Sequence, residues 1–263
     1  MTGGVYSIQM SKIRLTITIA PEIIPELDKL IDGKIIRNRS HAIESLVNQQ
    51  LMGQVSQAVI LAGGSPAAID RVTTKVAGQP LLTHTINLLL SYGLQHIFVV
   101  TDQDPHPLAE IIGKDPKVTL VTQTPDRGTA GALASIANRL NPSPVIVIHG
   151  DIFTDINLLD FIRFHRDHGQ EISIAVKPKL NQKEFGKAIM SGHHIIKFLN
   201  KPDTSEVGMV NMGIYVINPA ILRTLPKNKL LMLETDVFPQ LADQKQLAGY
   251  LFEGLWYDIG AKS

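Results

Sequence analysis

Residues 59–100 read VILAGGSPAAIDRVTTKVAGQPLLTHTINLLLSYGLQHIFVV. An apolar run ends in Gly-Gly, a stretch with apolar residues every three or four positions follows, a glycine stops it, and a second apolar run begins. That order predicts strand, helix and parallel strand, because a right-handed crossover returns the chain to the same sheet. Working outward, the runs QAVILAGG, HIFVVTD, VTLVTQ, PVIVIHGD and ISIAVKP are rich in Val and Ile without polar alternation. Strands covered on both faces have that composition. Between them, PLLTHTINLLLSYG, TAGALASIANRL and INLLDFIRFHRDHG carry the helical period and are the expected crossover helices. Residues 57–178 therefore predict an α/β domain with a mostly parallel sheet. Beyond residue 178 the pattern loosens into shorter strands such as MGIYVIN, expected to form an α+β extension that completes a pocket.

The chain has 263 residues, 25 Lys and Arg against 24 Asp and Glu, a net charge of +1 and no cysteine. A near-neutral chain has no global field for nucleic acid or an anionic membrane, so any such binding must be local. Thiolate catalysis, disulfides and cysteine metal sites are excluded together. No run approaches about 18 uninterrupted apolar residues. The expectation is a soluble cytoplasmic protein with no membrane partner.

Residues 11–52 follow different rules. Ile13, Leu15, Ile17 and Ile19 alternate with Arg14, Thr16 and Thr18, predicting a one-sided strand. Pro21 opens a helix with Ile24, Leu27 and Leu30 on one face, and Gly33 ends it. Ser40 is the expected N-cap of a second helix with Ala42, Ile43, Leu46 and Val47 inward. One strand and two helices, with RNRSHAI opening the second, resemble the ribbon-helix-helix family. The resemblance implies a homodimer through residues 11–52 in which paired strands enter the major groove of double-stranded DNA. Arg14, Thr16 and Thr18 would face base edges, and Asn38, Arg39 and Ser40 would hold a phosphate at the helix start. Six basic residues against five acidic ones in this segment is a weak DNA footprint, so a dimerisation cap is the competing reading.

From residue 57 onward, AVILAGG with AGQPLL, TPDRGTAGAL, VIVIHGD, FLNKP followed by VNMGIYVINP, and LWYDIG stand in an order that resembles the sugar-1-phosphate nucleotidyltransferase family over nearly the whole of 57–263. The resemblance implies a Rossmann-like three-layer nucleotidyltransferase fold. It also implies condensation of a nucleoside triphosphate with a sugar 1-phosphate, and magnesium as cofactor. Leu61, Ala62, Gly63 and Gly64 would approach the nucleotide through backbone. Gln123 would read a base edge, and Gly128 would permit close approach. Asp151, at the carboxyl end of a central strand, and Asp258 in WYDIG would hold the metal. Lys201, Asn211, Gly213 and Gly186 match the sugar-phosphate side. Taken singly, Gly63-Gly64 also suits a plain tight turn and Lys201 a surface loop.

Two departures bear on activity. The family's Gly-Thr-Arg-Leu and Pro-Lys are replaced by SPAAIDRVTTKVAG, with Pro66 lacking an amide. Arg71 and Lys75 are the candidate replacements for the triphosphate grip. The competing function is a transcription regulator whose degenerate transferase domain senses a nucleotide or sugar nucleotide. The histidines are not an expected metal site: His165 and His168 read as a polar helix face, and His193 and His194 as a hairpin turn.

Overall fold

The computed structural model describes residues 13–53, 55–123, 127–179, 185–200, 208–227 and 229–260. Its strands are β1 Gln57–Leu61, β2 Lys75–Val76, β3 Gln79–Pro80, β4 His96–Thr101, β5 Val118–Thr122, β6 Val145–His149, β7 Ile152–Thr154, β8 Ile172–Lys179, β9 Lys187–Ser191, β10 His194–Leu199, β11 Gly208–Ile217, β12 Leu247–Leu251 and β13 Trp256–Asp258. The helices are α1 Ile24–Lys29, α2 Arg39–Leu51, α3 Pro66–Thr73, α4 Leu81–Ser91, α5 His106–Ile112, α6 Gly128–Ile136, α7 Leu158–His168, α8 Pro219–Thr224 and α9 Phe238–Asp243.

Among the described residues, nine strands form one mixed sheet in the order β5-β4-β1-β6-β11-β8-β12-β10-β9. Neighbours from β5 to β6 are parallel, as the apolar runs imply. Successive residues of β1 point to opposite faces. Ala58 and Ile60 enter the core that α4 and α7 cover, while Val59 enters the one beneath α6 and α9. Beyond residue 178 the described strands β9 to β12 all join the same sheet. The ten-residue β11 inserts antiparallel between β6 and β8 and is buried over Val210–Ile217, so the expected extension is part of the central sheet.

His165 departs from the expected polar helix face. It is 4% exposed, with Nδ1 2.9 Å from Ser173 Oγ and Nε2 3.2 Å from Asn218 Oδ1. Burial lowers its pKa below the ordinary histidine value, against the opposing pull of the Asn218 oxygen. The unfolded chain takes up this proton near pH ~6.5, the folded chain at lower pH. Between those values the unfolded state binds more protons, so stability falls as pH drops. Thermal melts between pH ~7.5 and ~5.5 should show a falling midpoint, and His165→Gln should flatten that dependence. An unchanged slope in the variant would assign the acid sensitivity to other groups. His193 lies in the β9–β10 turn and His194 opens β10, as expected of a hairpin. Among the described residues no group of three or more ligating side chains is arranged to hold a metal, and no helix is long and apolar enough to cross a membrane.

At the amino terminus, residues 13–20 form neither helix nor strand, and Ile13, Leu15 and Ile17 are 86%, 78% and 54% exposed. A strand needs a partner for its backbone, and among the described residues none pairs with residues 13–20. The N-cap of α2 is Asn38 rather than Ser40. Asn38 Oδ1 accepts the His41 amide at 3.0 Å, and the cap lies one residue before Arg39 opens the helix. Arg39 forms a two-pronged pair with Asp28, Nε to Oδ1 at 2.8 Å and Nη2 to Oδ2 at 2.9 Å, which holds the Asp28 carboxyl below its usual range. One face of α2 packs on the body. Ala42 and Met52 are buried, Asn48 donates to the Ser91 carbonyl, and a Cβ on Gly93 would lie 2.9 Å from Gln49 Cβ. Leu46 and Val47, expected inward, are exposed.

Candidate active site

The rebuilt segment after Gly64 is a short helix rather than a flexible loop. Ser65 is extended, and Pro66 takes the first helical turn, where its missing amide costs nothing. The i, i+4 pair Ala68 and Val72 buries one face of α3. The helix sits close to the sheet because residue 150 is glycine: a Cβ there would lie 2.9 Å from Val72 Cγ2. This seat aims Arg71, in the last turn, at Asp151. Its Nε lies 3.0 Å from Asp151 Oδ2, with the two side chains 31% and 21% exposed. Lys75 does not join them. It opens β2, is exposed, and has no ion pair among the described residues.

Asp258 arrives by a separate route. β13 pairs antiparallel with β7, setting Asp258 opposite Ile152, the residue after Asp151. The Ile259 amide donates to the Asp151 carbonyl at 3.0 Å, and the Gly260 amide to Asp258 Oδ1 at 2.7 Å. A Cβ on Gly260 would lie 2.9 Å from Arg71 Nε and 3.2 Å from Asp258 Oδ1, so the glycine makes room where the cation and both acids meet. Asp151, Asp258 107 positions after it and Arg71 80 positions before it thus share one corner.

Beside this corner a cavity of about 170 Å³ lies at the carboxyl ends of β1, β4 and β5. Leu61, Gly63, Gly64, Gln123 and Gly128 line it, so five of the six expected nucleotide residues come together; Ala62 is fully buried beneath. Val100, Asp102, Thr129, Ala132, Leu230 and Met232 complete the wall.

Gly128 permits close approach, but to the chain itself. It has φ +68°, and a Cβ would lie 2.4 Å from the Leu231 carbonyl oxygen and 2.7 Å from Met232 Sδ. The Leu231 carbonyl accepts the amides of Ala130 and Gly131 at 2.9 and 3.1 Å, which satisfies the free donors at the start of α6. Leu231 N donates to the Arg127 carbonyl, Leu233 N to Thr129 Oγ1, and the Arg127 guanidinium to the Lys227 carbonyl. Residues 229–232, followed by a π-helix over Leu233–Val237, therefore form the outer wall. Sequence reading missed this wall. Its signal was Gly128 and Gly131, three apart, which clear one helix face for a backbone.

Asn211 is 8% exposed, and its amide is engaged within its own strand. Oδ1 accepts the Gly213 amide and Nδ2 donates to the Tyr215 hydroxyl, both at 2.9 Å. The pair pins an irregularity in β11 where Gly213 has φ +71°. Burial, and then the nearby Glu234, raises the Tyr215 pKa well above the ordinary value. The Tyr215 hydroxyl is 3.4 Å from His149 Nε2. Gly186 accepts the Asn211 amide through its carbonyl, and a Cβ there would lie 2.7 Å from the Phe198 ring. Lys201 lies outside the described residues. Next to Gly186, Lys187 is 4% exposed, a buried lysine that the sequence reading passed over.

Residues 57–263 match the family described as Nucleotidyl transferase. The chain belongs to that family. It is similar to the mannose-1-phosphate guanylyltransferase catalytic subunit beta of Danio rerio, 27% identical over 224 residues, and to that of Dictyostelium discoideum, 28% identical over 222 residues. Each alignment covers 78% of this chain and 61% of the relative, so the chain spans about three fifths of their length. Among solved structures, HddC from Yersinia pseudotuberculosis has a TM-score of 0.68 at 22% identity, covering 78% of this chain and 94% of that one. That likeness concerns the fold, and it agrees with the nucleotidyltransferase-type α/β sheet described above.

Proposed function

We propose that this nucleotidyl transferase condenses a nucleoside triphosphate with a sugar 1-phosphate. The observation that carries the reading is the meeting of Asp151, Asp258 and Arg71 beside a cavity at the strand ends. An oxygen of the sugar phosphate attacks the α-phosphorus in line. The new phosphorus–oxygen bond forms as the bond to the β-phosphate's bridging oxygen breaks, and pyrophosphate leaves. Asp151 and Asp258 suit magnesium, which takes carboxylate oxygens together with phosphates and water and which, when bound, neutralises phosphate charge. Arg71 is the cation placed to follow the phosphates once its carboxylate partner is otherwise engaged. The cavity lined by Gly64, Gln123 and Gly128 is the nucleotide site in this reading. Catalysis rests on positioning and charge neutralisation, with no covalent enzyme intermediate. The relatives' names make guanosine triphosphate and mannose 1-phosphate the first pair to test, and pyrophosphate release across a panel of pairs is the measurement.

A second reading is favoured by the Arg71–Asp151 pair itself, in which the chain's own cation holds the metal carboxylate. A domain that binds nucleotide or sugar nucleotide without turnover would act as a sensor. Binding without pyrophosphate release from any pair would select it.

Residues 11–52 act, in this proposal, as a ribbon-helix-helix unit that dimerises the protein and presents Arg14, Thr16 and Thr18 to DNA. The support is the exposed apolar set Ile13, Leu15, Ile17, Leu46 and Val47, which a second copy would bury. Arg39 is engaged with Asp28, so the phosphate contact would fall to the helix amides near Ser40. Sedimentation should give a dimer for the natural chain and a monomer for the doubly substituted Leu15→Lys, Ile17→Lys chain. A dimer surviving both charges would place the interface elsewhere. A mobility shift lost in Arg14→Ala would separate a DNA-binding ribbon from a dimerisation cap.

A further inference from the structure

The cavity holds a charged group for which the reaction has no use. Asp102 follows β4 at its carboxyl end and lines the cavity. Its Oδ1 accepts the Gly64 amide at 2.7 Å and Gln103 Nε2 at 3.0 Å, which uses both lone pairs of that oxygen. Gly63 packs against it so closely that a Cβ there would lie 2.4 Å from Oδ1. The glycine turn is therefore shaped around a carboxylate, and the Gly64 amide that a phosphate would seek is already taken. An anion at this point repels the triphosphate and leaves the neutral end of the nucleotide to occupy the cavity.

The polar groups left over define what that end must carry. Oδ2 of Asp102 receives no hydrogen bond from the described residues and is an acceptor. Gln123 accepts Ser135 Oγ on its Oε1 at 3.3 Å, which leaves its Nε2 hydrogens as donors. The walls between them include Leu61, Val100, Ala132 and Met232. Apolar walls with one anionic acceptor and one amide donor complement a planar base. Guanine presents two adjacent N–H donors, N1 and N2, beside the O6 acceptor. Adenine and cytosine set one exocyclic amine next to a ring acceptor, and uracil sets one ring N–H between two carbonyls.

We propose that Asp102 sets the base specificity, its free Oδ2 accepting the N1–H and N2–H pair of a guanine base. This rests on reading the cavity as the nucleotide site. The test is calorimetric binding of GTP, ATP, UTP and xanthosine triphosphate to the full chain with magnesium. The natural protein should bind GTP at least ~10-fold more tightly than ATP or UTP. Asp102→Asn keeps an Oδ1 for the Gly64 amide and replaces Oδ2 with an amide donor. Xanthine carries a carbonyl where guanine carries its N2 amine. GTP should therefore weaken roughly 10- to 100-fold in the variant while the xanthine nucleotide gains, inverting their ratio. A residue that merely pinned the turn would weaken both alike, so an unchanged ratio overturns the proposal. Equal binding of ATP and GTP by the natural protein overturns it without any variant. If no nucleotide binds the natural protein, the nucleotide-site reading itself fails, and the assignment of Asp102 falls with it.

Discussion

Asp151→Asn lowers pyrophosphate release by about 100- to 1000-fold, the scale of losing one preorganised electrostatic contact at a phosphoryl centre. The substitution keeps the shape and one oxygen but removes the charge that pairs with Arg71 and that the proposed magnesium ion would need. The loss should appear in kcat more than in KM, because neutralisation of phosphate charge matters most where that charge is redistributed. Arg71→Gln separates two roles for the guanidinium. If Arg71 grips phosphate during turnover, kcat/KM falls while the folded chain keeps its midpoint within a few degrees, since a pair this exposed contributes about 1 kcal/mol or less. If it only holds Asp151 in the resting chain, turnover persists and metal binding without nucleotide tightens. Full activity in Asp151→Asn would remove the catalytic reading of this corner, and chelation of the metal should reproduce the loss in the natural protein.

Gly128→Ala is expected to lower the thermal midpoint by roughly 5 to 10 °C and to weaken nucleotide binding at least ~10-fold. Two costs add. The left-handed φ of +68° disfavours any Cβ by about 1 to 2 kcal/mol. The new carbon would also meet the Leu231 carbonyl oxygen at 2.4 Å, and a backbone oxygen has little freedom to retreat. That carbonyl anchors the amides of Ala130 and Gly131, so its displacement opens the outer wall formed by Leu230 and Met232. Gly169→Ala is the matched control: φ is +62° and nothing lies within 4 Å of its Cβ, so it carries the conformational cost without the collision. Equal effects at the two positions in calorimetry would mean that docking of residues 229–232 adds nothing to the stability of the wall.

The Val- and Ile-rich runs, with glycines ending the helices between them, determined the parallel half of the sheet, because burial on both faces leaves no other composition open. The order of motifs marked Asp151, Asp258 and the glycine turn as candidates for one site. The path of residues 208–217 was not legible. A strand between β6 and β8 has the same apolar composition in either direction, and pairing across distant segments settles it. His165 was misplaced because its polarity outweighed the helical period, while Ser173 and Asn218, its hydrogen-bond partners in the core, come from elsewhere in the chain. Arg71 was visible as a cation in an altered loop. Its partner depended on the seating of α3, where Gly150 leaves room for Val72. Composition and periodicity thus determined which segments are buried and which motifs exist. Tertiary structure decided which of them touch, because a contact between residues 80 positions apart is set by packing that no local pattern records.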